Sequence, residues 1–321
     1  MTPASPAAAP PPAASTPADH SSAAAGAGGG GRCPTLVVLA AGQATRYGGG
    51  VKPLAPVGLA GEAVIDVLAS DALAAGFSDI LLVIGPQTGP AIRYHVERRW
   101  PAAVKVGFAV QEAPRGTVDA VLAAAAHLDP SRSFGVANAD DLPGEAALRL
   151  LADHLAGDDP DNAIVTFRLR DSLVGDAPVT RGIAEVGPDG LLRALDERRK
   201  VAPRPGGRIV AGDGREPSDL DPDSPVSVNL WGFRPVMRPV FEAAMADAGD
   251  GEVLLPEVVG DVVAGRRRAE DGAGRVAAHL APGRCIGVTH ADDVGLVQGA
   301  LAAEVGRGER AAQLWSAVGE R

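Results

Sequence analysis

The chain has 321 residues, 46% of them hydrophobic but only 3% aromatic, and its 30 basic and 40 acidic residues leave a net charge of −10. That length suits one large α/β domain or two small ones with a core of Ala, Val and Leu, and the negative charge argues against nucleic-acid wrapping or anionic-membrane binding, which need a basic face. Cys33 and Cys285 are far apart and form no metal-ligand spacing, which suits a reduced cytoplasmic setting, and no apolar run approaches the ~20 residues of a membrane helix.

Residues 1–32 are almost wholly Ala, Pro, Ser, Thr and Gly. Such a stretch buries too little surface to offset the entropy of ordering, so a disordered tail is expected. It has no basic start and no Leu/Val-rich centre, so it does not read as a signal peptide. The domain is then expected over 33–321, with a first half at 33–155 and a second half at 156–321. From Thr35 onward strands and helices alternate. The apolar run Leu36 to Ala40 predicts a buried strand, Glu62 to Ala75 a helix stopped by Gly76, and Ile80 to Ile84 a second strand. A helix over Gly89 to Arg99, a strand over Val104 to Val110, a helix over Val118 to His127 and a short strand over Phe134 to Ala137 follow. This alternation implies a mainly parallel sheet with right-handed crossovers. Ligands in such sheets bind at the carboxyl ends of strands, which brings three segments to one rim: the glycine loop after Leu39, the Gln111 loop, and Asn138-Ala139-Asp140-Asp141.

The second half changes character. Ala163 to Leu169, Gly182 to Val186, Leu191 to Leu195 and Val226 to Phe233 predict strands, while the Gly-, Pro- and Asp-rich stretch 203–225 is expected to be an ordered loop or lid. Helices are expected at about 237–247 and 254–264, a strand pair near 276–280 and 284–288, and helices at about 291–305 and 310–318. No repeat of ~20–50 residues is present.

The stretch Leu36 to Leu54, L-V-V-L-A-A-G-Q-A-T-R-Y-G-G-G-V-K-P-L, organises the chain. Gly42, Gly48, Gly49 and Gly50 leave the backbone bare, so N–H groups can approach phosphate oxygens. Arg46 and Lys52 add full charges. Only Lys52, Lys105 and Lys200 are lysine, and a lysine kept beside a glycine loop suits a compact charge on a phosphate. The stretch is no P-loop, because Lys52 stands between Val51 and Pro53, and it is a poor dinucleotide fingerprint, because Ala44 occupies the second glycine position. It resembles the signature of the sugar-1-phosphate nucleotidylyltransferases, L-A-A-G-x-G-T-R followed by P-K-x-L, with departures at Ala44 and Val51. Further segments are similar to that family in the expected order: Gln111 to Leu122, Asn138 to Asp141, Arg181 to Val186, Leu195 to Lys200, Val226 to Phe233 and Gly287 to Asp293.

The resemblance implies a Rossmann-like α/β nucleotide-binding domain with a mixed central sheet, and transfer of a nucleotidyl group from an NTP to a sugar 1-phosphate with release of pyrophosphate. It implies catalytic roles for Arg46, Lys52 and Asp140, and nucleotide binding by Ala41, Gly42, Gln111, Gly116 and Thr117. Gly182, Glu197 and Asn229 would hold the sugar, with Lys200 or a neighbouring arginine for its phosphate. Asp140 with Asp292 would hold Mg²⁺, Thr289 or Asp293 being alternatives to Asp292 and the aspartates also suiting a cap on the next helix, while Asp141 is left for helix capping or orientation. Neither a nucleic-acid nor a membrane partner is expected, and a homo-oligomer is compatible with the reading. Two alternatives stay open: nucleotidyl transfer to another phosphorylated acceptor, and a non-catalytic nucleotide-sugar sensor with the same fold.

Overall fold

A computed structural model of the chain describes residues 33–42, 50–269 and 274–318. The expected tail at 1–32 and most of the glycine loop, Arg46 included, lie outside the described residues. In chain order the elements begin with β1 (Thr35–Ala40), α1 (Val64–Ala75), β2 (Asp79–Ile84), α2 (Gly89–Arg99), β3 (Val106–Val110), α3 (Thr117–Ala125), β4 (Phe134–Asn138), β5 (Asp141–Leu142) and α4 (Glu145–Ala156). The second half continues with β6 (Asn162–Arg168), β7 (Val179–Val186), β8 (Leu192–Arg204), β9 (Arg208–Ala211), β10 (Asp219–Leu220), β11 (Pro225–Phe233), α5 (Met237–Ala248), α6 (Leu255–Val263), β12 (Val276–Leu280), β13 (Ile286–Gly287) and α7 (Asp293–Gly306).

One sheet runs in the order β10-β9-β8-β7-β11-β4-β1-β2-β3, with β6 on β11 and β12 on β6. The strands β4, β1, β2 and β3 are parallel neighbours. Beyond them the sheet turns mostly antiparallel, since β11 opposes β4, β6 and β7, and β8 opposes β7 and β9, while β12 runs parallel to β6. The sheet is therefore mixed, and the second half of the chain extends the sheet of the first.

Helices cover both faces. In β1 the side chains of Leu36, Val38 and Ala40 join the core beneath α1, α2, α4 and α7, whereas Val37 joins the opposite core beneath α3, α5 and α6. That is the two-residue period of a strand buried on both sides, and it explains the unbroken apolar run. The helix α1 stops where Gly76 takes a left-handed conformation at φ 110°, with its N–H bonded to Ala72 and Leu73 carbonyls, an end that glycine adopts without a Cβ clash.

Four sequence expectations are corrected. The 203–225 stretch is not a loop throughout: β8 runs on to Arg204, and β9 and β10 pair within it, tied by bonds from Arg208 to Asp219. The segments near 276–280 and 284–288 do not pair with each other, because β12 joins β6 and β13 joins β5. Residues 310–318 form no helix beyond a turn at Ser316–Val318. They are held instead by tertiary contacts: Arg310 donates from Nη1 to both carboxylate oxygens of Asp71 at 2.5 and 2.6 Å, and Trp315 lies 5.3 Å from Trp100. Finally, Asp141 does not cap α4; it lies in β5, and the cap position is Gly144. Among the described residues no helix is long and apolar enough to cross a membrane.

Candidate active site

The parallel strands end at one rim, and the predicted segments meet there. Ala41 and Gly42 follow β1, Gln111 follows β3, Asn138 ends β4 and Asp140 lies just beyond it. With Thr117, Asn229 and Glu252 they line a cavity of about 350 Å³. A smaller recess beside it is lined by Gly42, Lys52, Pro53 and Asp140. Lys52, at the start of a short 3-10 turn, donates from Nζ to Asp140 Oδ2 at 2.8 Å. The two residues are 88 positions apart, and both side chains keep some exposure, at 20% and 32%. A cation and a carboxylate thus stand together beside the cavity.

The Gln111 segment is built by internal bonds. The amide Nε2 of Gln111 donates to the Gly116 carbonyl and to Asp119 Oδ2, both at 2.9 Å, and Arg115 reaches Asp119 Oδ1 at 2.7 Å. Both N–H groups of the Gln111 amide are therefore committed to folding the loop, leaving its oxygen for a ligand. Gly116 has φ 92°, and a Cβ there would fall 2.2 Å from the Val253 carbonyl oxygen. Its glycine serves a backbone crossing: Val253 N–H bonds Arg115 O, and Val118 N–H bonds Val253 O. Thr117 Oγ1 accepts the Leu255 N–H at 2.8 Å, so it caps α6 from outside that helix. Both residues line the cavity while organising its wall.

A second, larger cavity of about 610 Å³ adjoins the first, and Asn138 and Asn229 line both. One face of β11, β7 and β8 forms its floor. Ser227 lies opposite Gly182, and Gly182 opposite Glu197, while the N-terminal turn of α6 contributes Pro256 and Glu257. Asn229 reaches both cavities because β11 shifts register between Ser227 and Leu230, and Asn229 itself is left-handed at φ 60°. Such bulges re-aim a side chain, and asparagine is among the few residues that tolerate this conformation. Trp231 Nε1 donates to Asn229 Oδ1 at 3.2 Å and so orients the amide.

Asp141 lies where the two halves touch. It lines the larger cavity and accepts from Asn138 Nδ2 at 3.0 Å. Burial, then the Asp140 charge, push its carboxyl up to about 6, against the pull of Arg181, the Asn138 bond and Lys52. Gly287 of β13 packs against it; a Cβ there would fall 2.4 Å from Asp141 Oδ1. Arg181 enters the same cavity, its guanidinium fixed by bonds to Ser172 Oγ, Ser172 O and Thr180 O at 3.1, 2.5 and 2.9 Å.

Residues 36–255 match the model of the MobA-like NTP transferase domain. This chain belongs to that family. It is thereby a nucleotidyltransferase of α/β fold. The chain is similar to the bifunctional protein GlmU of Sorangium cellulosum, with 31% identity over 232 residues; the match takes in 70% of this chain and 44% of that protein. The chain thus spans less than half the length of this curated relative. In fold it is similar to HddC from Yersinia pseudotuberculosis, whose crystal structure is a complex with GMP-PN, at a TM-score of 0.57 and 16% identity, covering 83% of this chain and 99% of that one.

Within this NTP transferase the structure brings Lys52, Asp140, Ala41, Gly42, Gln111, Gly116 and Thr117 to one cavity system, and Gly182, Glu197 and Asn229 to the adjoining one. Asp292 is not brought there. It is exposed before α7 and lines none of these cavities, while the next residue, Asp293, turns inward and accepts the Thr289 and His290 N–H groups at 2.8 and 2.7 Å. Sequence reasoning placed Asn138 and Arg181 in segments it singled out but gave neither a role of its own, and it missed Asp119, Glu252 and Glu257 as site-forming residues. Of these three, Asp119 carried a local signal, as an acid in the first turn of a helix.

Proposed function

We propose that the protein transfers a nucleotidyl group from an NTP to a sugar 1-phosphate. The observation that supports this most is the pair of adjoining cavities, about 350 and 610 Å³, which share Asn138 and Asn229, with Asp140 lining the smaller one and bonded to Lys52. A transfer between two bound substrates needs two sites whose reacting ends meet, and positioning them supplies much of the rate. The NTP would lie in the smaller cavity against the ends of β1, β3 and β4. The acceptor would lie in the larger one, its hydroxyls meeting Glu197, Asn229 and the backbone near Gly182. An oxygen of the acceptor phosphate attacks the α-phosphorus in line, and the bond to pyrophosphate breaks. Lys52 stabilises charge on the phosphates at the reacting centre, and Arg46, by the family resemblance, holds the departing pyrophosphate.

Mg²⁺ suits the donor set. The described residues hold no group of three or more His, Cys, Asp or Glu arranged for a metal, but Mg²⁺ is commonly held by one or two carboxylates with waters and substrate phosphates. Asp140 Oδ1 is outside the Lys52 bond and would be such a ligand; when bound, the ion supplies positive charge to the phosphates.

Pyrophosphate release, measured with Mg²⁺ across the common NTPs and a panel of sugar 1-phosphates, tests the proposal. One NTP–acceptor pair should turn over, and Asp140→Ala or Lys52→Ala should lower kcat by roughly 10²–10³-fold, the usual cost of removing an electrostatic stabiliser. NTP binding without release across the whole panel would overturn the sugar 1-phosphate reading in favour of a different acceptor or a nucleotide-binding protein.

A further inference from the structure

The larger cavity carries more cationic groups than one reacting phosphate requires, and they stand at two places. Arg181 is beside Asp141 at the Asn138 end. Arg199 lines the cavity from β8, and Arg215 from the segment between β9 and β10. In the order β8-β7-β11-β4, three inter-strand steps of about 4.8 Å set the β8 wall roughly 14 Å from the strand that delivers Asp140. Arg199 and Arg215 therefore face the end of an acceptor remote from its reacting phosphate.

The outer arginines are held by a built device. By the period of a strand, Glu197 and Arg199 point to the cavity face of β8 and Arg198 to the other. Arg198 is buried, its side chain 3% exposed, yet a buried guanidinium is costly without a partner. Asp213 provides it, accepting from Arg198 Nε at 2.8 Å and Nη2 at 3.1 Å, while Arg198 Nη2 also donates to the Arg215 and Pro217 carbonyls at 2.9 and 3.0 Å. Asp213 accepts the Arg199 N–H at 3.2 Å and the Arg215 N–H at 3.1 Å as well. The buried pair thus clamps residues 213–217 against β8 and delivers Arg215 to the cavity rim. There Arg215 uses two of its five N–H donors, on Glu197 O at 3.1 Å and Asp196 Oδ1 at 2.7 Å. Arg199 meets Glu197 at 3.1 Å. These two pairs are exposed, and exposed pairs contribute little, so both guanidiniums are available to a stronger anionic partner.

We propose that the acceptor bears a second anionic group, a carboxylate or a second phosphate, remote from the reacting phosphate and bound by Arg199 and Arg215, with Arg198 and Asp213 positioning the segment that makes this subsite. This rests on the transferase reading above and adds the charge class of the acceptor. The full chain is titrated with glucose 1-phosphate, glucuronic acid 1-phosphate and glucose 1,6-bisphosphate, with binding measured by calorimetry and turnover by pyrophosphate release. One or both acidic acceptors should bind at least about tenfold more tightly than glucose 1-phosphate, as expected for added charge-assisted hydrogen bonds; which of the two gains tells carboxylate from phosphate. In Arg215→Ala and Arg199→Ala that ratio should fall toward one. Arg198→Met should lower the same ratio without changing the KM for NTP, a split that general loss of structure would not produce. The acidic preference without turnover would uphold the subsite while overturning the sugar 1-phosphate reading. Equal binding of all three acceptors, or an equal loss for acidic and neutral acceptors in Arg215→Ala, would overturn the subsite.

Discussion

At the scale of single residues, several motif positions act on the site through the backbone they shape. Gly116 is the clearest. Its φ of 92° and the 2.2 Å that would separate a Cβ from Val253 O leave no room for alanine without moving the segment that starts α6. Gly116→Ala is expected to destabilise the protein by roughly 1–3 kcal/mol or more, the range for overpacking, and to raise the KM for NTP, because Gln111 and Thr117 depend on the same crossing. Urea denaturation and steady-state kinetics check both; a variant of unchanged stability would show that the crossing yields easily. Asn229 makes the complementary point. A polar residue in an apolar strand could be a buried liability, but its left-handed backbone turns it to the cavities and Trp231 orients it.

At the scale of elements, the packing of β12 on β6 brings two histidines together. His154 of α4 lies within 2.9 Å of the Asp161 carbonyl through Nε2, and its Nδ1 lies 3.2 Å from His279 Nε2 on β12. The carbonyl requires a proton on His154 Nε2, so Nδ1 accepts and His279 Nε2 donates. Burial, then the neighbouring His154, hold the His279 imidazole below its usual range. Its folded pKa is depressed, so below the unfolded value of about 6.5 the unfolded chain takes up a proton that the folded one resists. The contribution is present above about pH 6.5 and is lost as pH falls. His279→Gln should remove this slope: denaturation at pH 5.5 and 7.5 should show a smaller acid loss in the variant than in the parent. An equal loss in both would exclude His279 as its source. The difference between the proteins is the readout, because the raised Asp141 carboxyl contributes with the opposite slope, its folded form favouring the proton up to about pH 6.

At the scale of the whole molecule, the two halves share one sheet. β11 lies between β4 of the first half and β7 of the second, and Trp231 and Phe233 of β11 share a core with Phe134 of β4. A cut near residue 155 would leave β4 with an open edge and that core divided. Fragments 33–155 and 156–321 should therefore show no cooperative unfolding alone, although each has the length of an ordinary domain. A cooperative thermal transition in the isolated 33–155 fragment would disprove this.

Local pattern determined a large part of this protein. Apolar runs set between turn residues and helical spacings ended by glycine gave the alternating elements from Thr35 to Ala137, since strand and helix periods depend on neighbours a few residues away. The motif order placed Lys52, Gln111 and Asp140 at strand ends of one parallel sheet, where a shared rim follows from topology. What only the tertiary structure decided are pairings over long separations: Lys52 with Asp140, Arg310 with Asp71, and β12 with β6 rather than with β13. The 203–225 stretch looked like a loop because its Gly, Pro and Asp residues break local periodicity, and its strands form because β8 and Arg198 supply partners from outside it, while Arg208 ties Asp219 within it. Asp292 and Asp293 are neighbours of one type in the sequence. Which of them turns inward was settled by the way α7 begins, because the Thr289 and His290 N–H groups need an acceptor and only Asp293 supplies it there.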